Sequence, residues 1–236
     1  VGAGQTTRAV NFQLGAPLPI PPATGIIYTF AGSGAAGYSN DLGAAVSAKL
    51  NYPYGVAADS AGNLYIADYS NHRIRKVDTS GNISTVAGTG AYGFYGDGSK
   101  ATNARLYSPQ GVAVDTFSNL YIADTANQRI RKVDALGNIS TFAGTGTAGY
   151  NGDNIAATVA QLYNPMGLAA DSLGNLYIAD YYNHRIRKVD ASGNISTVAG
   201  TGSAGFSGDG GLATSAQLYY PTGVAVDSAG NLYIAD

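Results

Sequence analysis

The sequence predicts an all-β fold in which one unit of four short antiparallel strands is repeated along the chain. Copies of Asn-Leu-Tyr-Ile-Ala-Asp begin at residues 63, 119, 175 and 231, at an interval of 56 residues. Each interval contains four short apolar or β-branched runs separated by turn signals, which is the spacing of consecutive antiparallel strands. The composition agrees, because the 236 residues include 33 glycines and 18 tyrosines but no glutamate, cysteine or tryptophan.

The four predicted strands of a unit are named a to d, and in the first unit they cover residues 55–59, 63–68, 73–78 and 83–88. The a–b link (residues 59–63) and the c–d link (residues 78–82) each combine Asp, Gly and Asn, as hairpin loops do. Strands a and b are apolar at consecutive positions, which predicts burial on both faces. A radial array of stacked sheets, each covered by a neighbour on two sides, explains this pattern and predicts a β-propeller.

The loop between Asp115 and Asn119 departs from the other a–b links, because Ser118 stands where they have glycine. If this position keeps the positive φ of a tight turn, we expect backbone strain of about 1 kcal/mol there.

Three motifs in this order resemble the NHL repeat of β-propellers: Pro-x-Gly-Val-Ala-x-Asp, Gly-Asn-Leu-Tyr-Ile-Ala-Asp and Asn-x-Arg-Ile. The resemblance covers residues 26–236 and implies four-stranded antiparallel blades, usually about six to a ring. The four repeats present here leave the number of blades in the assembled ring open.

A long insertion joins strand d of each unit to strand a of the next, for example over residues 88–106. Loops of this size are commonly functional or self-packed. The insertions and the b–c links are expected on the same face of the propeller, and large rings there are candidate ligand contacts. The alternative is that the ring repeated at residues 38, 94, 150 and 206 only fixes the insertion to its blade. The candidate contact residues are Tyr69, Tyr92, Phe94, Tyr95, Tyr150, Tyr181, Tyr182 and Phe206.

The ionisable residues favour a protein without catalytic or metal chemistry. One Asp per insertion, as at Asp97, is too few oxygen ligands for calcium. His72 and His184 occupy equivalent positions in different units, and the chain lacks Cys and Glu, so the usual nucleophiles and acid/base pairs are mostly missing. We therefore expect no enzyme, metal or cofactor. The alternative implied by the resemblance is a lyase or hydrolase of propeller type with a metal in its channel.

Charge and hydropathy disfavour nucleic-acid and membrane partners. Nine of the 13 basic residues recur in strand c, as at Arg73, Arg75 and Lys76, although the net charge is −2. Some NHL propellers bind RNA, but affinity for nucleic acid needs concentrated positive charge, so we expect these cations at solvated blade edges, balanced by residues such as Asp78. No apolar run reaches the roughly 18 residues of a membrane helix, so membrane insertion is not expected.

The N-terminal residues stand outside the repeats. Residues 1–14 resemble the last strand of carboxypeptidase-regulatory-like β-sandwich domains of bacterial surface proteins, residues 15–25 form a Pro-rich linker, and residues 26–32 are a predicted strand d. The fourth unit stops after strand b, so an alternating strand over residues 8–14 would supply its missing strand c. That strand would come from the same chain or from a neighbour, or the chain is an excerpt of a longer propeller. The predicted closing residues are Arg8, Val10, Phe12, Leu14, Leu232 and Ile234.

Together these observations predict a non-enzymatic, extracellular bacterial β-propeller that acts as an interaction or structural module. It would bind a protein or glycan through the face that carries the insertions. The alternative within this class is a filament subunit joined to other copies of itself by a donated N-terminal strand.

Overall fold

The computed structural model describes residues 27–39 and 41–236, and in them the repeats fold as antiparallel sheets that stack as the blades of a propeller. Blades 1 to 3 each contain four strands in the order a, b, c and d, and two strands of blade 4 lie in the described part. The predicted all-β propeller with four-stranded blades is confirmed.

The strands follow the repeats closely. In chain order, the insertion before blade 1 contributes β1 (Gly43–Ala44), and blade 1 contains β2 (Pro53–Ala58), β3 (Leu64–Asp68), β4 (Arg73–Val77) and β5 (Asn82–Ala87). Blade 2 contains β6 (Val112–Val114), β7 (Leu120–Asp124), β8 (Arg129–Val133) and β9 (Ile139–Ala143). The insertion before blade 3 contributes β10 (Ile155–Ala156), and blade 3 contains β11 (Pro165–Ala170), β12 (Leu176–Asp180), β13 (Arg185–Val189) and β14 (Asn194–Ala199). Blade 4 contains β15 (Gly223–Val226) and β16 (Leu232–Ala235).

Single turns of 3-10 helix complete the architecture at two recurring places. The tails of the insertions form Ala45–Ser47, Ala101–Asn103, Ala157–Val159 and Ala213–Ser215. The b–c links form Tyr69–Asn71, Thr125–Asn127 and Tyr181–Asn183.

Each of the first three insertions attaches to the outer strand of the blade that follows it. β1 pairs antiparallel with β5, and β10 pairs antiparallel with β14. Consecutive blades are held together by apolar side chains from both sheets and, at the axis, by close approach of their innermost strands. The N–H of Gly55 donates to the carbonyl of Gln110 at 2.9 Å, and that of Gly167 donates to Thr222 at 3.0 Å.

The outer faces of blades 1 and 4 are uncovered within the described residues. Tyr121 of blade 2 is 6% exposed because blade 3 covers it, whereas the equivalent Tyr233 of blade 4 is 60% exposed. On the opposite side, Val112 is buried against blade 1 and the equivalent Val56 is exposed. Burial of strands a and b on both faces therefore depends on a neighbouring blade on each side.

The ends differ in part from the prediction. Residues 27–32 form no strand, and instead the N–H groups of Gly32 and Ser33 donate to Ala45 and Ala48 of the following insertion. A strand needs a pairing partner, and the expected one, over residues 8–14, lies outside the described residues together with Arg8, Val10, Phe12 and Leu14. Leu232 and Ile234 pack against blade 3, and in the described part of the chain β16 pairs with β15 alone.

The substituted turn residue does take the expected conformation. Ser118 has φ of 63°, and the equivalent Gly62 and Gly174 have φ of 87° and 84°. In this left-handed region the backbone of a residue with a Cβ is about 1–2 kcal/mol less favourable than that of glycine. Glycine loses more conformational entropy on folding, which offsets part of that difference. We expect Ser118→Gly to stabilise the protein by about 0.5–1 kcal/mol in urea denaturation. Thr116→Gly, in the same turn but without positive φ, should destabilise it, and a gain there would contradict this account.

Candidate binding face

A buried arginine of strand c fixes each of the first three insertions to the blade that follows it. Arg75 is fully buried, and its guanidinium contacts Asp41 of the insertion at 2.7 Å and Asp68 of strand b at 3.6 Å. The Tyr38 ring covers it, with the guanidinium carbons of Arg73 and Arg75 at 3.8 and 4.8 Å from the ring centroid. Arg131 and Arg187 repeat the arrangement with the equivalent carboxylates and with the rings of Phe94 and Tyr150.

The expectation that all cations of strand c lie at solvated blade edges was therefore wrong for Arg75, Arg131 and Arg187. Two carboxylates and a ring offset the cost of removing each guanidinium from water. Tyr38, Phe94 and Tyr150 each lie against an arginine of their own blade, which is the contact that the alternative interpretation of the repeated ring expects. Phe206 is 81% exposed, because the described part of blade 4 has no strand c to cover it.

The carboxylates of this arginine site differ in their ionisation. Burial raises the pKa of Asp124 and of Asp180 to about 6, against the lowering effect of their hydrogen bonds and of Arg131 and Arg187. Burial also acts to raise the pKa of Asp41, but hydrogen bonds from Tyr38 and Thr85 and the charge of Arg75 outweigh it, so that pKa is lowered.

The b–c links contact the insertions, as expected. The Asn71 side chain donates to the carbonyl of Gly37 at 2.6 Å, and Arg73 donates to the carbonyl of Thr89. The equivalent residues of blades 2 and 3 make the same hydrogen bonds. Insertions and b–c links therefore form one continuous surface, which we call the insertion face.

Tyrosines form a cluster on the insertion face between blades 3 and 4. Neighbouring rings in this cluster have centroids 4.6 to 5.5 Å apart, and His184 lies 4.5 Å from the nearest of them. Tyr182 is 42% and Tyr219 58% exposed. We call the cluster the tyrosine patch, and its members are Tyr163, Tyr181, Tyr182, Tyr219 and Tyr220.

The other predicted contact residues lie apart from the tyrosine patch. Tyr69 packs on Tyr54, with ring centroids 5.0 Å apart, and Tyr92 contacts Tyr107 and His72. Tyr95 is exposed. These residues and the tyrosine patch occupy different blades of the insertion face.

Sequence reasoning found Tyr181 and Tyr182 but missed Tyr163, Tyr219 and Tyr220. The missed residues stand one or two positions before the repeated proline, where the chain passes beneath the b–c link. The N–H of Tyr182 donates to the carbonyl of Tyr163 at 3.1 Å. Tyrosine at this position of the repeat was the signal available in the sequence.

Two further properties of the described residues bear on function. They contain no group of three or more His, Cys, Asp or Glu side chains placed to hold a metal ion. Among the same residues, no helix has the length and apolar character required to cross a membrane.

Comparison with known proteins places the repeats in a family. A model of the NHL repeat matches residues 50–77, 162–189 and 218–236, and a model of the teneurin NHL domain matches residues 92–150. The protein SUPPRESSOR OF QUENCHING 1, chloroplastic, of Arabidopsis thaliana is 31% identical over 89% of this chain and 21% of its own length. Teneurin-4 of Mus musculus is 33% identical over 83% of this chain and 8% of its own length. The chain thus spans about a fifth or less of these relatives.

A solved structure agrees with the sequence matches. A structural genomics protein of unknown function from Bacteroides thetaiotaomicron superposes with a TM-score of 0.62 and 26% identity, over 78% of this chain and 44% of that one. An NHL domain of this architecture is consistent with a protein-interaction module. The repeated motifs, the four-stranded blades and the family matches together show that the chain belongs to the NHL-repeat β-propellers.

Proposed function

We propose that this chain is a non-enzymatic, extracellular binding module that engages a protein ligand through the tyrosine patch. The observation that carries the proposal is the patch itself, in which five tyrosines contact one another on the insertion face and Tyr182, which belongs to the complete blade 3, is 42% exposed. Tyrosine is enriched among the residues that dominate protein interfaces, because its large ring is immobilised at low entropic cost.

Rigidity of the surrounding surface supports the proposal. The arginine site at Arg187 fixes the insertion before blade 3, and Asn183 holds the b–c link to the same insertion through Gly149. A surface that is ordered before its ligand arrives loses less entropy on binding. Tyr69, Tyr92 and Tyr95 belong to the same face and extend the proposed surface, whereas Phe94 and Tyr150 serve in this proposal as anchors of the insertions.

Hydrogen bonding around the patch favours a protein over a glycan. The Asn183 NH2 group donates to Gly149 and to Asp180, and the Asn164 side-chain oxygen accepts from Gln128, so these groups are already engaged within the protein. A sugar presents many hydroxyls that need partners when they are desolvated, and leaving them unpaired is costly. The extracellular location in the proposal rests on the resemblance of residues 1–14 to domains of surface proteins.

Binding arrays test the proposal directly. The fluorescently labelled chain and its Tyr182→Ala/Tyr219→Ala variant would be applied to an array of secreted and surface proteins, which includes the chain itself, and to a glycan array. We expect saturable binding to protein spots that weakens about tenfold or more in the variant, as for truncation of interface anchors.

Phe117→Ala is the matched control, because Phe117 is also an exposed ring but lies in an a–b loop at the opposite end of the strands. The control should bind as the unchanged chain does. Binding to glycan spots alone, or equal weakening in both variants, would rule out a protein ligand at the tyrosine patch.

A further inference from the structure

The b–c links of blades 1 and 3 each reach the next blade through a histidine. His72 Nδ1 accepts a hydrogen bond from the backbone N–H of Ser108 at 3.1 Å, and His184 Nδ1 accepts one from that of Tyr220 at 3.1 Å. Both acceptor nitrogens must be unprotonated, which fixes these two imidazoles in the neutral form with the proton on Nε2.

Blade 2 makes the same contact without a titratable group. Gln128 occupies the equivalent position, and its Oε1 accepts from the N–H of Asn164 at 2.6 Å while its Nε2 donates to the Asn164 side chain at 3.0 Å. The three contacts between consecutive blades therefore share one geometry, but the acceptor is an imidazole nitrogen in two of them and an amide oxygen in the third. Protonation changes the first and the third of them and leaves the second intact.

The residue held by each contact has an uncommon backbone conformation. Ser108, Asn164 and Tyr220 have φ between 50° and 57°, and each directly precedes the proline that leads into strand a. Asn tolerates this left-handed region better than Ser or Tyr. The equivalent Tyr52 has φ of 50° as well, so the histidine and glutamine contacts join the blades without being the cause of this conformation.

Burial is the largest effect that opposes protonation of each imidazole, and the neighbouring charges differ between the two sites. Burial, followed by the charge of Arg73, lowers the pKa of His72, whose ring also contacts Tyr92 and Tyr107. Burial lowers the pKa of His184 as well, and with the smaller contribution of the Arg185 charge it outweighs the raising effect of Asp236. The His184 ring contacts Tyr219 and Tyr220.

We infer that His72 and His184 are acid-sensitive contacts between blades, which release the N–H groups of Ser108 and Tyr220 when Nδ1 is protonated. The blade 1–2 and blade 3–4 contacts then loosen, while the blade 2–3 contact through Gln128 holds. A histidine whose pKa is lower in the folded state than its usual 6.5 contributes stability that is fully present above that value and is lost as the pH falls through the folded pKa.

Acid release at His184 also reaches the tyrosine patch, because Tyr220 belongs to both. If the patch binds a ligand as proposed, the binding surface around Tyr220 changes with pH. That consequence rests on the proposed function, but the histidine contacts themselves do not.

Site-resolved hydrogen exchange by NMR distinguishes the three contacts within one molecule. Exchange of the Ser108, Asn164 and Tyr220 amides would be measured at about pH 7.5 and about pH 5, across the range in which histidine titrates, and corrected for intrinsic rates. We expect protection to fall about fivefold or more at Ser108 and Tyr220, the factor that corresponds to one net hydrogen bond, and less than about twofold at Asn164.

Asp124 and Asp180, whose pKa values are about 6, titrate in the same range. Their titration affects the compared sites equally. Asp124 accepts a hydrogen bond from the amide of Tyr107, which precedes Ser108, and Asp180 accepts one from the amide of Tyr163, which precedes Asn164. Ser108 is held by His72 and Asn164 by Gln128, so an acidic residue of the same kind lies beside each contact. A difference between Ser108 and Asn164 therefore reports the histidine.

Two variants that swap histidine and glutamine at equivalent positions complete the test. His72→Gln should abolish the acid loss at Ser108, and Gln128→His should create one at Asn164. Equal pH dependence at the three amides in the unchanged chain would overturn the inference, whether or not the variants fold. So would a loss at Ser108 that persists in His72→Gln.

Discussion

Replacing Arg131 by methionine should destabilise the protein by about 3–5 kcal/mol, the usual cost of removing one partner of a buried ion pair. Arg131 and Asp124 are both fully buried, and methionine would leave Asp124 only the N–H groups of Tyr107 and Asn127. The insertion would also lose the pairing of Arg131 with Asp97 and its packing on Phe94. Urea denaturation gives the change as a fall in the midpoint at constant slope.

Lys132→Met is the control for this change, because it removes a neighbouring cation of the same strand that is less buried. It should cost less than about 1 kcal/mol. Adding Asp124→Asn to Arg131→Met should restore part of the lost stability, since it removes the unpaired buried charge. Similar losses in the two single variants would mean that the arginine site does not stabilise the blade.

Gly111→Ala should also be strongly destabilising, by about 3 kcal/mol. A Cβ at Gly111 would lie 2.0 Å from the carbonyl oxygen of Met166 in blade 3, so the innermost strands could not keep their present separation. The backbone of Gly111 does not have positive φ, so the cost arises from the close approach of the blades alone. Thermal and urea denaturation of the purified variant measure the loss.

Gly223 provides a control at the same position of the repeat. Its Cβ would meet no atom closer than 3.4 Å, the Cβ of Ala235, because no further blade covers it in the described residues. Gly223→Ala should therefore change stability by less than about 1 kcal/mol, with a small gain expected from reduced freedom of the unfolded chain. Equal costs at the two glycines would contradict the proposed dependence on blade contact.

The repeat made most of the fold predictable. A regular interval, hairpin loops and strands without polar alternation together specified stacked four-stranded sheets, and the b–c links and insertions were correctly expected on one face. The strand expected at residues 26–32 did not form in its described part, because strand formation depends on a partner and not only on the sequence of the segment.

The buried arginine could not be recognised from local sequence. Arg73 and Arg75 both lie in a run of cations, and in the structure the first stays partly exposed while the second is fully buried. The difference depends on Asp41, which lies 34 residues earlier in the chain. A pairing over that distance leaves no periodic signal within strand c. The tyrosine patch was found only in part for the same reason, since it joins three separate segments.

The buried arginine site also determines where one structural unit of the chain ends and the next begins. Asp97 and Phe94 precede blade 2 in sequence and are fixed by Arg131 in that blade, and the tail of the same insertion bonds to Gly137 and Ile139. The structural unit defined by these contacts therefore runs from an insertion to the strand d that follows it. This unit begins about twenty residues before the sequence repeat that starts at each proline. A fragment cut at Pro109 would therefore separate blade 2 from Asp97, which pairs with its buried Arg131. Recombination of modules within this family should respect the displaced boundary.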